Sequence, residues 1–501
     1  MRSDEVSISL YKRIKESEAK YHLDGTHFFL PESAIEDNIT EKNIKAELGL
    51  GFWGKVKQVV SKGDLPTTVL RDAKKAFTIL VYINESKSIK GLLDEGIKDS
   101  DLPLRREAEN SGVLLSHDKS KRFKSLQTMN DSVVDSFLEK QWIVMAPTFD
   151  STRNHLDIPS LCPLPFSNIE ALTGSHSSVL YKGEIHYSHY RGGKGGNNNI
   201  TIAIKRFLRE KLFNQELKNL RILQELDHPY LIRHIATYTQ EKSYCIISPF
   251  AEGGDLVNMW KSLDHIVRDD KLMLSSIEQM KHIAEALKAL HEVNCRHGDL
   301  KPENIFHFTD DGDGKLVIAD VGVSRTHREA TEMRAAGTST RATTRSYEAP
   351  ETLSKEDEAR SRKYDIWSLG CILYEYTLWL SHDYEAIESL SRARKAPHHE
   401  FYLLMKPTPV IEPIVLAAFT ALREDPRCKN GTALEALMKL IQDKLLQIQV
   451  DDRCTAAELV EHLQMILDDI KSKRIPALND VTLPPQKLRF VRADHFEIIE
   501  E

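Results

Sequence analysis

Residues 296–304 read Arg-His-Gly-Asp-Leu-Lys-Pro-Glu-Asn. This stretch sets an acid (Asp299), a cation (Lys301) and a metal-binding amide (Asn304) within nine residues. A polar turn after a helix would account for any one of them, but less easily for all three in order. Upstream, Ser275 and Glu278 form a capping-box pattern, and Met280, Ile283, Leu287 and Leu290 share one helical face, which predicts a helix running into the loop. Downstream, Leu316-Val-Ile-Ala-Asp-Val-Gly322 is an apolar strand that ends in a second acid, Asp320. Further on come Tyr347-Glu-Ala-Pro-Glu351 and Tyr364-Asp-Ile-Trp-Ser-Leu-Gly370.

On the N-terminal side the pattern changes to short strands. Ile200 to Phe207 alternates and carries Ile202-Ala-Ile-Lys205. Leu172-Thr-Gly-Ser-His-Ser-Ser-Val-Leu-Tyr-Lys-Gly183 precedes it, and the buried-strand pattern Tyr244-Cys-Ile-Ile-Ser-Pro-Phe-Ala-Glu-Gly-Gly-Asp-Leu256 follows. Together these motifs resemble those of the eukaryotic Ser/Thr protein kinases, from Phe166 to about Ser472. The resemblance implies an α+β, bilobal fold with a small β-rich N-lobe (166–251) and a helical C-lobe (252–472). It also implies ATP and Mg²⁺, with protein substrates as partners.

The resemblance assigns roles residue by residue. Asp299 would accept the substrate hydroxyl's proton, Lys301 would neutralise the transferring phosphoryl group, and Asn304 and Asp320 would hold Mg²⁺. A loose phosphoryl-transfer transition state needs positioning and charge stabilisation more than covalent chemistry, so a short rigid loop suffices. Lys205 would contact the α- and β-phosphates. Leu180, Ala203, the gatekeeper Ser248 and the hinge residues Phe250 and Ala251 would surround adenine. Thr344, seven residues before Glu351, stands at the threonine that contacts the catalytic acid and lysine, which with Lys301 favours Ser/Thr substrates. Asp365 would hold the catalytic loop by its backbone, and Arg453 would pair with Glu351.

The chain departs from the family pattern in five places, the mildest being Val321, which replaces a phenylalanine and keeps only its apolar character. Thr173, Ser175 and Ser178 stand where the Gly-rich loop has glycines, leaving Gly174 between them, so the loop should approach the phosphates less closely. Asn219 falls at the usual glutamate of the following helix. Either Glu216, one turn earlier, takes that role or the salt bridge to Lys205 is absent. Pro249 removes one hinge donor. Gly298 replaces an arginine, which predicts weak dependence on activation-loop phosphorylation. The departures keep open a second reading, a pseudokinase that retains the fold as a nucleotide-binding or scaffold module.

Residues 1–145 read as a mostly helical regulatory or docking domain, with Thr40 as a cap, Gly49 as a stop and a helix from Ala73 to Ile83. They resemble the helical segment ahead of the kinase domain in a group of fungal kinase-like proteins. Leu48-Gly-Leu-Gly-Phe-Trp-Gly-Lys-Val56 matches a Gly-rich phosphate loop in letters. It lacks a following strand with a lysine, so a helix end and turn is preferred. Prolines 147, 159, 163 and 165 mark residues 146–165 as a linker, and 473–501 as a tail follows the loss of periodicity. A length of 501 residues implies roughly two to four domains. A net charge of −7 argues against a general nucleic-acid-binding surface. The six scattered cysteines fit reduced core thiols, and there is no apolar run long enough to span a membrane. The expectation is an intracellular protein, cytoplasmic or nuclear, with no membrane span.

Overall fold

A computed structural model describes residues 9–21, 27–50, 64–108, 111–127, 130–150, 155–174, 177–192, 196–309, 314–321, 345–353, 361–394, 398–479 and 487–490. The chain divides into two units, one of Met1–Phe213 with His234–Phe250, the other of Asn214–Arg233 with Ala251–Glu501.

The first unit begins with short helices: α1 (Leu10–Glu16), α2 (Glu32–Asn38), α3 (Glu41–Glu47), α4 (Leu65–Asp72), α5 (Lys74–Tyr82), α6 (Ile89–Asp94) and α7 (Asp131–Lys140). Between them lie the hairpin β1 (Ala19–Tyr21) and β2 (His27–Phe29), and three two-residue strands, β3 (Arg105–Arg106), β4 (Leu114–Leu115) and β5 (Arg122–Phe123). Helix α5 is the centre of this core, with every residue from Ala76 to Val81 buried. Thr40 caps α3 by accepting the Asn43 amide at 3.3 Å, as its sequence position suggests. The helix stops where expected. Gly49, at φ +69°, donates to the Ala46 carbonyl while Leu50 donates to Lys45, a paired C-terminal motif that favours glycine. Residues 51–63, the rest of the glycine-bearing stretch, lie outside the described residues.

A six-stranded sheet completes this unit, in the order β6-β10-β11-β9-β8-β7. Its strands are β6 (Leu156–Asp157), β7 (Phe166–Gly174), β8 (Ser178–Ile185), β9 (Ile200–Phe207), β10 (Ala236–Gln240) and β11 (Ser243–Pro249). Strand alternation puts Ile202, Ile204 and Ile247 on one face, where they form a core with Phe149, Ile158, Cys162, Leu164 and Phe166. Four of these partners come from the stretch read as a linker. There β6 adds to the sheet edge parallel to β10, Ile158 donates to the Thr239 carbonyl at 2.8 Å, and Phe149 stacks on Phe166 with centroids 5.4 Å apart. His189 ties the helical part to this sheet. Its Nε2 accepts the Glu32 amide at 3.1 Å, its Nδ1 therefore donates to the Pro147 carbonyl at 3.0 Å, and Phe29 meets its ring edge-on.

The second unit is helical, apart from the hairpins β12 (Ile305–Phe308) with β13 (Lys315–Ile318) and β14 (Tyr402–Leu403) with β15 (Val410–Ile411). It takes most of α8 (Glu210–Leu226), then α9 (Leu256–Ser262), α10 (Asp270–Glu292), α11 (Lys363–Ser381), α12 (Tyr384–Ala393), α13 (Pro413–Glu424), α14 (Ala433–Leu440) and α15 (Ala456–Lys471). Helix α11 is buried on all sides, as an apolar run with few charges must be. Helix α10 starts earlier than the Ser275 capping box implies. Asp269 is the cap, accepting the Leu272 amide at 2.8 Å, and Ser275 sits inside the helix with its hydroxyl donating to the Leu272 carbonyl at 3.0 Å. The tail packs back on this unit: Leu488 is buried and Arg489 grips both oxygens of Asp383 at 2.9 and 2.8 Å. No helix among the described residues is long and apolar enough to cross a membrane.

Candidate active site

The loop after α10 is held from below by one carboxylate. Asp365, in the first turn of α11 and fully buried, accepts the amides of His297 and Gly298 at 2.9 Å each and His291 Nε2 at 2.9 Å. Burial alone would raise this carboxyl. The His291 hydrogen bond and charge, with His297 and the Gly298 amide, instead hold it below the usual carboxylate range. Gly298 gives its amide from a left-handed backbone, φ +77°, which an L side chain rarely adopts. The missing arginine thus coincides with a position where glycine is unstrained.

Above this anchor, Asp299 and Lys301 face each other, carboxylate to ammonium, at 3.5 Å. Asn304 turns its amide NH₂ back to the Asp299 carbonyl at 2.8 Å, which leaves its carbonyl oxygen as the atom able to meet a hard cation. Strand β12 follows at once, and Ile305 pairs with Ile318 across the β12–β13 hairpin. That register carries the second acid to the same end of the hairpin. The Ala319 amide donates to the main-chain carbonyl of Asn304 at 2.9 Å, leaving the side-chain oxygen untouched, and Asp320 comes next with φ +51°. Such a conformation is uncommon outside glycine and persists where neighbours fix it. Ala319 is fixed on both sides, since its carbonyl accepts His297 Nε2 at 2.9 Å. The Nδ1 of His297 accepts the Asp299 amide at 3.3 Å, so this fully buried ring, with its proton on Nε2, spans from the 296–304 loop to the residue before Asp320. Sequence reasoning gave His297 no role. Its one signal was its place inside the motif.

In the first unit, register decides which side chains share a face. Leu180 pairs with Lys205 and Lys182 with Ala203, while Ser248 on β11 pairs with Ala203 on β9. Directly opposite residues point the same way, so Leu180, Ala203, Lys205 and Ser248 share the sheet face opposite the Ile202 and Ile204 core. Thr173 pairs with Leu180, and Ser178, read as a loop position, begins β8 paired with Phe207. A Cβ added to Gly174 would meet nothing within 4 Å. The Phe250 amide reaches the Thr201 carbonyl at 3.4 Å, and the Lys182 ammonium lies 4.3 Å from the Phe250 ring centroid. Ser175 lies outside the described residues.

Glu216 and Asn219, in the part of α8 that belongs to the second unit, lean on each other, with Asn219 Nδ2 donating to Glu216 at 3.4 Å. Ala251 opens the turn before α9. Residues 322–344, Thr344 among them, lie outside the described residues. Beyond them, Arg453 forms a bidentate pair with Glu351, both contacts 2.8 Å, its guanidinium fully buried.

The family model described as the protein kinase domain matches residues 183–465, more than half of the chain. The chain belongs to the protein kinase family. Its fold is the expected α+β kinase class, with a helical N-terminal region. Among curated proteins it is similar to the calcium/calmodulin-dependent protein kinase cmkA of Emericella nidulans, 29% identical over 210 residues, which cover 40% of this chain and 47% of that protein. It is also similar to the ovarian-specific serine/threonine-protein kinase Lok of Drosophila melanogaster, 31% identical over 191 residues, 36% of this chain and 38% of that protein. The serine/threonine-protein kinase Nek11 of Homo sapiens is 31% identical over 158 residues, 31% of this chain and 22% of that protein. The kinase spans about half the length, or less, of these relatives.

Proposed function

We propose that this kinase transfers the γ-phosphoryl group of ATP to Ser and Thr hydroxyls of protein substrates. The observation that carries the reading is the Asp299–Lys301 pair at 3.5 Å, on a loop whose amides are tethered to the buried Asp365. Asp299 accepts the proton as the substrate oxygen bonds to phosphorus and the bond to the β-phosphate oxygen breaks. Lys301 balances charge on the transferring group. Lys205 holds the α- and β-phosphates, with Glu216 as its partner if that helix residue replaces the usual glutamate. Leu180, Ala203, Ser248, Phe250 and Ala251 enclose adenine, and Thr173, Gly174, Ser175 and Ser178 cover the phosphates with hydroxyl donors in place of most glycine amides. The oxygen donor set of Asn304 and Asp320 fits Mg²⁺, which when bound would draw charge from the β- and γ-phosphates. Thr344 and Lys301 favour Ser/Thr over Tyr.

The same reading assigns residues 1–145 a regulatory or docking role, 146–165 a connecting one, 166–472 the catalytic domain and 473–501 a tail. It places the protein inside the cell, consistent with six cysteines that are all buried. Asn219 at the glutamate position favours one alternative, a pseudokinase that binds nucleotide without turnover. The two separate when γ-labelled ATP and a generic basic protein are given to wild type and Asp299→Asn. The catalytic reading expects incorporation by wild type and a loss of at least about a hundredfold in the variant. Equal incorporation, or none with Mg²⁺ or Mn²⁺ over several substrates, would leave the scaffold.

A further inference from the structure

Glu375 is an acid in an unlikely place. It sits midway along α11, 2% exposed, in a helix otherwise almost wholly apolar at that level. A buried carboxylate is costly unless partnered, and two side chains partner this one. The Tyr347 hydroxyl donates to one oxygen at 2.7 Å, and Arg394 donates to the other at 3.4 Å. Burial raises the Glu375 carboxyl and Arg394 opposes that rise. Arg394 follows α12, is 1% exposed, and lies 4.1 Å from the Phe401 ring centroid. A little farther along the same connection, His398 takes two more contacts. Its carbonyl accepts the Ser346 hydroxyl at 2.7 Å, and its Nε2 accepts Arg345 at 2.7 Å. Three consecutive residues, Arg345 to Tyr347, are therefore gripped from the single connection between α12 and β14. The grip on Tyr347 passes through Glu375.

We propose that Arg394 is a positioning residue which, through Glu375 and Tyr347, sets the segment 345–351 for the protein substrate and leaves nucleotide binding alone. This rests on the kinase reading above, in which that segment closes the activation segment just after Thr344. The guanidinium offsets part of what burial costs the carboxyl, and with Arg394 on one Glu375 oxygen the other is held facing Tyr347, whose phenol it pins by a hydrogen bond. Tyr347 is pinned a second time where its carbonyl accepts the Ser368 hydroxyl at 2.8 Å. Slack at Tyr347 is transmitted along four peptide units to the Arg453-bound Glu351.

The test compares Arg394→Met, Arg394→Lys and Tyr347→Phe by steady-state kinetics and by amide hydrogen exchange of residues 346–351. Arg394→Met should raise KM for the protein substrate about tenfold, the effect of roughly one lost hydrogen bond, with KM for ATP within about twofold of wild type. Arg394→Lys, which keeps the charge, should recover part of the loss. Exchange at 346–351 should quicken in Arg394→Met and in Tyr347→Phe, and the double variant should add nothing further if both act along one path. If Arg394→Met does not fold, Arg394→Lys and Tyr347→Phe decide by the same two readouts. Unchanged exchange, equal shifts in both KM values, or fully additive effects would overturn the proposal. A wild type that transfers no phosphate would remove the kinase reading, while the exchange data would still judge the coupling.

Discussion

Replacing Asp365 with asparagine should release the 296–304 loop without unfolding the helix that carries the carboxylate. In the wild type one oxygen accepts the Gly298 amide and the other accepts both the His297 amide and His291 Nε2, each at 2.9 Å. Asparagine offers one acceptor. The best it can do is keep the two-bond side and turn its NH₂ toward the Gly298 amide, donor against donor. Hydrogen bonds to a charged group contribute about 1.5–3 kcal/mol each, and an orphaned buried donor costs about 1–3 kcal/mol. A local loss of about 2–3 kcal/mol follows, which at 1.4 kcal/mol per decade is about 30- to 150-fold. Hydrogen exchange of the peptide spanning 296–300 reads that factor directly as faster opening. Phosphate incorporation should fall with it, because Asp299 follows the released amide. Exchange within about threefold of wild type would refute the anchoring role, whatever happened to activity.

Other residues give separate tests. Burial pushes the His189 imidazole down to about 4, with the Pro147 hydrogen bond working against the shift. Its folded value lies below the unfolded one, so stability is full above about 6.5 and is lost as pH falls toward 4, in all about 3 kcal/mol. A pH series of unfolding should show this slope in wild type and not in His189→Asn, and equal slopes would count against it. Gly298→Ala should cost about 1–2 kcal/mol and lower activity because of its φ of +77°, whereas Gly174→Ala, with open space at its Cβ, should be near neutral in a thermal melt. Arg453→Met strands the Glu351 carboxylate and should destabilise the second unit by about 3 kcal/mol in urea titration; a change under about 1 kcal/mol would show that the pair is dispensable.

The candidate site was legible where its motif is contiguous. Asp299, Lys301 and Asn304 share one loop, and Asp365 and Arg453 stand in motifs whose partners the sequence could name. Helix α5 followed from the spacing of Ala73, Phe77 and Leu80. What stayed hidden depends on contacts between distant residues. His297 bridges to Ala319 across a hairpin, a role no local pattern encodes. Gly298 read as a lost arginine, yet its backbone angle needs the third dimension. The stretch 146–165 read as a linker because its apolar residues have no period. Phe149, Ile158, Cys162 and Leu164 are irregularly spaced because they cover a sheet face from an extended path. The Ser275 and Glu278 pattern misplaced the start of α10 because a capping-box spacing also occurs inside helices, and Asp269 caps first. The two-residue strands β3 to β5 are too short for any alternation to register.

The proposed function rests most heavily on Lys205 as a phosphate-binding residue and Asp320 as a Mg²⁺ ligand. The most direct measurement is ATP affinity, by titration with and without Mg²⁺, for wild type, Lys205→Met and Asp320→Asn. The account predicts that Mg²⁺ tightens binding to wild type, that Lys205→Met weakens it about tenfold or more, and that Asp320→Asn abolishes the Mg²⁺ dependence. Identical affinities in all three proteins, or a wild type indifferent to Mg²⁺, would contradict it.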